Sequence, residues 1–293
     1  MSKPRRVSAR RVVAVLATLV VGAAIVTFAA VYAYRHTPAP PAHPMPMPPS
    51  TPPPPNAPTD LAAEFIQLAT RLNASMGLAV SAVGSSEAPL TYGDWQQGPA
   101  WSTSKVPLAI AAYRQQHKVT DKMRAAITES DNAAAEALWQ QLGDPSTAAQ
   151  KVQQILQETG DPTIVESRKV RPEFTAFGQT IWSLVNQTRF IASAFCNKQN
   201  EPIFALMGQI APQQSWGIGT LTGAQFKGGW GPSPSGRYLV RQLGILNAPS
   251  GKLAVAIAAE PASGSFEDGR RALDEAAAWL SMHLAQLPSG QCK

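Results

Sequence analysis

Histidine and cysteine are both scarce in this chain, with four and two copies in 293 residues. His36 and His43 fall in a proline-rich stretch, His117 follows one amphipathic helix and His283 lies in the last, so no serine, histidine and aspartate triad assembles. Cys196 and Cys292 have no histidine at ligand spacing, which excludes a zinc-type centre, and a Gly-x-Ser-x-Gly elbow is absent. Acidic residues are missing from everything before Asp60, where the only charges are Lys3, Arg5, Arg6, Arg10, Arg11 and Arg35. The remainder balances 19 basic against 19 acidic side chains. The formal charge of +6 therefore belongs to the amino-terminal end, which removes the case for nucleic-acid binding that a high pI suggests.

What is present begins with an uncharged run of 23 residues, 12–34, long enough to cross a bilayer as a helix. The basic segment 1–11 precedes it, so the amino terminus is expected in the cytoplasm and everything after Arg35 outside, in a single-pass arrangement at the cell membrane. A cleaved signal peptide is the competing reading, with Ala29, Ala30 and Ala33 as small residues for a cleavage site; the length of the run favours an uncleaved signal-anchor. No cysteine lies near the end of the run to accept a lipid. Residues 35–58 are rich in proline and read as an extended spacer with no core and no chemistry. Outside the cytoplasm a Cys196–Cys292 disulfide can persist, although two separate thiols fit the sequence equally.

Residues 59–293 have the size of one domain. Apolar spacing predicts a helix over 60–73, strands at 76–83 and 90–92, and helices over 102–116, 119–129, 133–142, 146–158, 174–195 and 201–210. After Gly217 the pattern changes to strand: 224–230, 237–246 and 253–259, separated by Gly, Pro, Ser and Asn turns, followed by an amphipathic helix over 266–284. Two strands, a helical insert, three strands and a closing helix describe an α+β architecture, an antiparallel sheet flanked by helices plus a helical subdomain.

Chemistry concentrates in Trp101-Ser102-Thr103-Ser104-Lys105, where three-residue spacing on a helix points Ser102 and Lys105 to the same side. A serine hydroxyl is a weak nucleophile until a neighbouring base activates it. Ser130-Asp131-Asn132 and Lys227-Gly228-Gly229 follow in order, although Asp131 and Asn132 taken alone read as helix caps. Together the three elements resemble the active-site serine β-lactamases and penicillin-binding proteins, whose signature is Ser-x-x-Lys, Ser-Asp-Asn and Lys-Thr-Gly. The resemblance runs from about residue 60 onward, strongest in WSTSKVPLAIAA and AAITESDNAAAEALWQQLGDPSTAAQKVQQILQETG, which look like class A helices.

The resemblance implies that Ser102 attacks a carbonyl, Lys105 is its base, Ser130 passes a proton to the leaving nitrogen, and Asn132 holds a substrate amide. Lys227 would border the cleft and favour a substrate carboxylate, beside Gly229. The backbone N–H groups of Ser102 and Trp230 would form the oxyanion hole. Arg237 and Arg241 alternate onto one face of the next strand, as carboxylate ligands or as solvated charges. No metal or organic cofactor is needed. The expected protein is a membrane-anchored extracytoplasmic serine hydrolase or acyltransferase acting on a peptidoglycan-type peptide or a β-lactam. The alternative is a non-catalytic envelope protein that binds peptidoglycan or a partner.

Three departures qualify that expectation. Gly228 replaces the hydroxyl residue of the third motif; an alignment through 216–223 keeps Thr222 but puts Leu221 at the lysine position. Class A enzymes carry a glutamate with an asparagine four residues on to position hydrolytic water. Here Glu166 is followed at that distance by Val170 and Glu173 by Phe177, so β-lactam turnover is expected to be slow. Ser102 and Ser130 are also only 28 positions apart, which implies a missing insert and a more open cleft.

Overall fold

The structure, a computed structural model, describes residues 59–293. The expected basic segment, membrane run and proline-rich linker lie outside the described residues. Among the described residues no helix is long and apolar enough to cross a membrane.

A five-stranded antiparallel sheet is the frame. Helix α1 (Thr59–Arg71) leads into β1 (Ala74–Ala82) and β2 (Leu90–Gly93), and the chain returns to the sheet with β5 (Gln225–Pro232), β6 (Tyr238–Ala248) and β7 (Gly251–Pro261) before α8 (Phe266–His283) closes the domain. The strand order is β2-β1-β7-β6-β5, so β5 is an edge strand. Side chains alternate between two apolar cores, as a pleated strand requires. Ala254, Ala256 and Ala258 of β7 face one core, with Leu243 and Ile245 of β6; Val255, Ile257 and Ala259 face the other, under α1 and α8. Small residues on the first face admit the helical subdomain closely.

That subdomain contains α2 (Lys105–Gln116), α3 (Asp121–Arg124), α4 (Asn132–Leu142), α5 (Pro145–Gln157), α6 (Leu184–Ala194) and α7 (Glu201–Met207). Its helices start where short polar side chains cap them: Asp131 accepts from the Ala134 N–H, Asp144 from those of Ser146 and Thr147, and Ser183 from that of Asn186. Cys196 and Cys292 are bonded, closing 96 residues and tying the tail to the end of α6.

Two stretches differ from the periodicity. The helix predicted over 174–195 is a 3-10 turn (Phe177–Gln179), a short strand β4 (Ile181–Ser183) and then α6. β4 pairs with β3 (Gln97–Pro99), a partner that apolar spacing does not reveal. The helix predicted over 119–129 tightens only at α3 and then widens into a π turn, Ala125–Glu129.

Candidate active site

Strand β3 delivers the chain to a 3-10 turn, Trp101–Ser104, that runs directly into α2. Residues three apart eclipse one another in a 3-10 turn, so Ser102 stands in line with Lys105, the first residue of α2. Trp101 has φ +49°, a left-handed conformation that is an outlier for a bulky residue and costs roughly 1–3 kcal/mol. Packing holds it there: its ring meets Phe174 edge-on at 5.0 Å, and the indole is almost fully buried. The strain falls on the residue immediately before the candidate nucleophile.

The π turn ends at Ser130, also left-handed at φ +59°, where the Asp131 N–H closes back onto the Ala125 carbonyl. This reversal brings the Ser130 carbonyl, the Ser130 hydroxyl and the Asn132 amide to one point, and Lys105 occupies it. Lys105 Nζ donates to Asn132 Oδ1 at 2.7 Å, to Ser130 Oγ at 3.2 Å and to the Ser130 carbonyl. Lys227, projecting from β5, donates to the same Ser130 Oγ at 2.8 Å and to the Gly228 carbonyl at 2.9 Å. With two lysines donating to it, the Ser130 hydroxyl is left to donate its own proton elsewhere. Ser102 Oγ has no hydrogen-bond partner among the described residues and is partly exposed. Lys105, Ser130, Asn132 and Lys227 thus meet from three separate segments, with Ser102 three residues before Lys105 on the same turn.

Burial governs the charge of the two lysines. It draws Lys105 down to about 7, opposed by the nearby Asp131 carboxylate. Lys227, wholly buried, is pushed well below the ordinary lysine range, first by desolvation and then by the charge of Lys105. An amine at Lys105 that is free near neutrality has a lone pair with which to take a proton from a serine hydroxyl.

Glycine lets the edge strand reach the serine turn. A Cβ at Gly229 would lie 2.9 Å from the backbone nitrogens of Ser102 and Thr103, and one at Gly231 would lie 2.6 Å from the Trp101 indole. The two glycines are alternate residues of β5 on the serine-facing side, and only their bareness permits this contact. Trp230 alternates to the other face and is partly exposed. The rival alignment through Thr222 fails structurally: Gly217–Thr220 is a 3-10 turn, whereas Lys227 lies in the strand beside the serine.

The two arginines differ: Arg241 is buried and Arg237 is exposed. Arg241 pairs with Gly229 across the sheet but is completely buried; it donates to the carbonyls of Gly98 and Pro99 at 2.9 Å, to that of Trp182 at 3.0 Å and to Gln187 Oε1. Gln187 in turn donates to Thr103 Oγ1 at 2.8 Å. Arg241 therefore braces the strand that enters the serine turn and, through Gln187, the turn itself. Alternation along a strand put Arg237 and Arg241 on one face, and it does not tell a buried face from an open one. Arg237 lies beside the turn of the β5–β6 hairpin, donating to the carbonyls of Pro261 and Ala262. Gln187 and Thr103 carried no motif signal.

The segment between α5 and β4 supplies no free carboxylate. Glu166 accepts from the Arg168 N–H and pairs with its guanidinium at 3.3 Å, and exposed Glu173 pairs with Arg171 at 3.0 Å. Arg171 also donates to the Pro232 carbonyl and lies 4.3 Å over the Phe174 ring, strapping this segment across Trp101 to the end of β5.

This arrangement of sheet, helices and converging motifs is the fold of the class A β-lactamases. The crystal structure of TLA-3 extended-spectrum β-lactamase superposes with a TM-score of 0.64 at 15% identity, covering 77% of this chain and 98% of that one. A class A β-lactamase representative from Bacteroides cellulosilyticus gives 0.64 at 14% identity over 77% and 97%, and the class A β-lactamase from Mycobacterium abscessus gives 0.61 at 13% over 76% and 98%. No family model matches the sequence, and no curated protein does. The α+β architecture expected from the order of strands and helices, and the β-lactamase-like fold that the three motifs imply, are the fold observed.

Proposed function

We propose that this chain is a serine acyl-transfer enzyme of the β-lactamase and penicillin-binding superfamily, anchored in the cell membrane through residues 12–34 with its domain outside the cytoplasm. Its substrate is a cell-wall-type peptide amide or ester, and its turnover of β-lactams is slow. The observation that carries the reading is the Lys105–Ser130–Lys227 hydrogen-bond network beside an unpartnered Ser102 hydroxyl. In the proposed reaction Ser102 Oγ attacks the carbonyl and gives its proton to Lys105. The oxyanion is met by the Ser102 and Trp230 N–H groups, and Ser130 protonates the leaving group. Slow release is supported by the pairing of Glu166 with Arg168 and of Glu173 with Arg171, neither of which has the asparagine four residues on that positions water in class A enzymes.

Intact-mass spectrometry of the full-length protein in detergent tests this, with a fluorophosphonate and with penicillin, sampled from seconds to hours. The expected result is a fluorophosphonate adduct on Ser102, absent in Ser102→Ala, and a penicillin adduct that forms slowly and persists. No adduct from either reagent overturns the enzyme reading. The same pairing of Glu166 and Glu173, with Gly228 in the third motif, favours the second reading of a peptidoglycan-binding envelope protein, in which Ser102→Ala keeps full ligand affinity.

A further inference from the structure

Strand β5 presents two rows of side chains, and the row that does not face the serine turn carries information about what the cleft accepts. Its members beside the site are Gly228 and Trp230. Gly228 stands where the resemblance places a hydroxyl for a substrate carboxylate. The space that a side chain would fill there belongs to an indole: a Cβ at Gly228 would lie 3.3 Å from both Cη2 and Cζ2 of Trp216, and 3.7 Å from Cζ3 of Trp230. The two indoles meet edge-on at 5.8 Å, and Phe266 packs at 5.4 Å from Trp230 and 6.1 Å from Trp216. Trp216 is buried, while Trp230 and Phe266 keep part of their surface open. The outer side of the edge strand is therefore an aromatic wall.

The cations nearby are all committed. Lys227 is fully buried and donates to Ser130 and Gly228; Lys105, also buried, donates to Ser130 and Asn132. Arg241 is buried with four acceptors. Arg270, on the helix next to Trp216, is shared between Glu267 at 3.0 Å and Asp274 at 2.9 Å. Arg171 is held by Pro232 and Glu173. Arg237, just before β6, is tethered to the Pro261 and Ala262 carbonyls; it lies three residues from Val240, the partner of Trp230, and five residues, or about 17 Å of extended chain, from Gln242, the partner of Gly228. A carboxylate brought to the Gly228 end of the wall would lose water and gain neither cation nor hydroxyl, which is costly.

We propose that this site selects acyl donors whose leaving-group side carries no carboxylate and is apolar or aromatic, packing on Trp230 and Phe266. This narrows the acyl-transfer reading and rests on it. The step is balanced without a co-reactant. The Ser102 Oγ–acyl bond forms and the acyl–oxygen or acyl–nitrogen bond breaks. The serine proton passes to Lys105, the leaving group takes the Ser130 proton, and Ser130 regains one from Lys105 at 3.2 Å. Water later releases the acid.

The test compares two aryl esters of phenylacetylglycine on full-length protein in detergent, identical except that the aryl leaving group bears a meta carboxylate or its methyl ester. Phenol release and the Ser102 adduct mass are followed together. The neutral ester is expected to acylate Ser102 about tenfold faster or more, the penalty for an unpaired carboxylate. Gly228→Thr combined with Trp216→Ala, which restores a hydroxyl and makes room for it, is expected to shift the ratio toward the charged ester. Equal rates, or faster reaction of the carboxylate, overturn the inference while leaving the acyl-transfer reading intact. If neither ester nor a fluorophosphonate modifies Ser102, the acyl-transfer reading falls and the inference with it.

Discussion

The contact between Gly229 and the serine turn makes the most demanding prediction. In Gly229→Ala the new methyl would sit 2.9 Å from the nitrogens of Ser102 and Thr103 and 3.0 Å from the Ala100 carbonyl, all backbone atoms that no rotamer change can move. Restoring an ordinary separation of about 3.5 Å displaces β5 from the turn by roughly 0.5 Å. Overpacking of this kind costs roughly 1–3 kcal/mol. At roughly 2–4 °C per kcal/mol for a domain of this size, the melting temperature should fall by about 2–12 °C. The functional cost is larger in proportion. The two proposed oxyanion donors lie on the two elements being forced apart, and such constellations tolerate only about 0.5 Å of displacement. Losing one donor outright costs roughly 100- to 1,000-fold, so a partial loss of tenfold or more in fluorophosphonate labelling of Ser102 is expected. Gly208→Ala is the control, because its Cβ would meet only Ala205 O at 3.5 Å and Gln225 Cγ at 3.6 Å. Melting followed by circular dichroism and labelling followed by intact mass read the two effects. A Gly229→Ala protein that labels at the wild-type rate and melts within a degree of it would refute the close approach.

Four further outcomes follow from the same geometry. Labelling of Ser102 should rise with pH through about 7 and then level off, since Lys105 must be a free amine; a rise continuing toward 10 would show that its burial does not act as described. The sign for stability agrees: Lys105 and Lys227 both titrate lower folded than unfolded, so the folded chain binds fewer protons between about 7 and 10 and unfolding free energy should increase across that window. Arg241→Met should lower unfolding free energy in urea by roughly 3 kcal/mol, by stranding the buried Pro99 carbonyl and Gln187 Oε1 and removing a donor from the Gly98 and Trp182 carbonyls, and should lower the rate of acylation more than substrate affinity. A loss confined to affinity, with stability intact, would make it a ligand-binding residue after all. Replacing Cys196 and Cys292 by serine removes a cross-link over 96 residues and should cost roughly 3–5 kcal/mol on a chain-entropy account, read as a drop in melting temperature that reductant reproduces in the wild type.

The three candidate motifs were legible in the chain because each is local. Ser102 and Lys105 are linked by helical spacing, and Ser130 to Asn132 by a cap sequence. Lys227 and its glycines sit in a strand bounded by turn residues. The architecture was legible too, since alternation and 3.6-residue periodicity survive in single segments. β3 and β4 were not, because a three-residue strand exists only through its partner, and the pair joins segments more than eighty positions apart. The roles of the two arginines were equally hidden. A period of two places Arg237 and Arg241 on one face, but whether that face is open depends on which helix covers it. Here α6 brings Gln187 onto Arg241 and turns a candidate ligand into a brace. Trp216 shows the same limit: nothing in its local sequence announces that its indole fills the space beside Gly228. Local covalent order determined which groups are candidates for chemistry. Only the tertiary packing of distant segments decided which of them meet, which are neutral and which remain open to a substrate, because burial and contact are properties of the assembled fold.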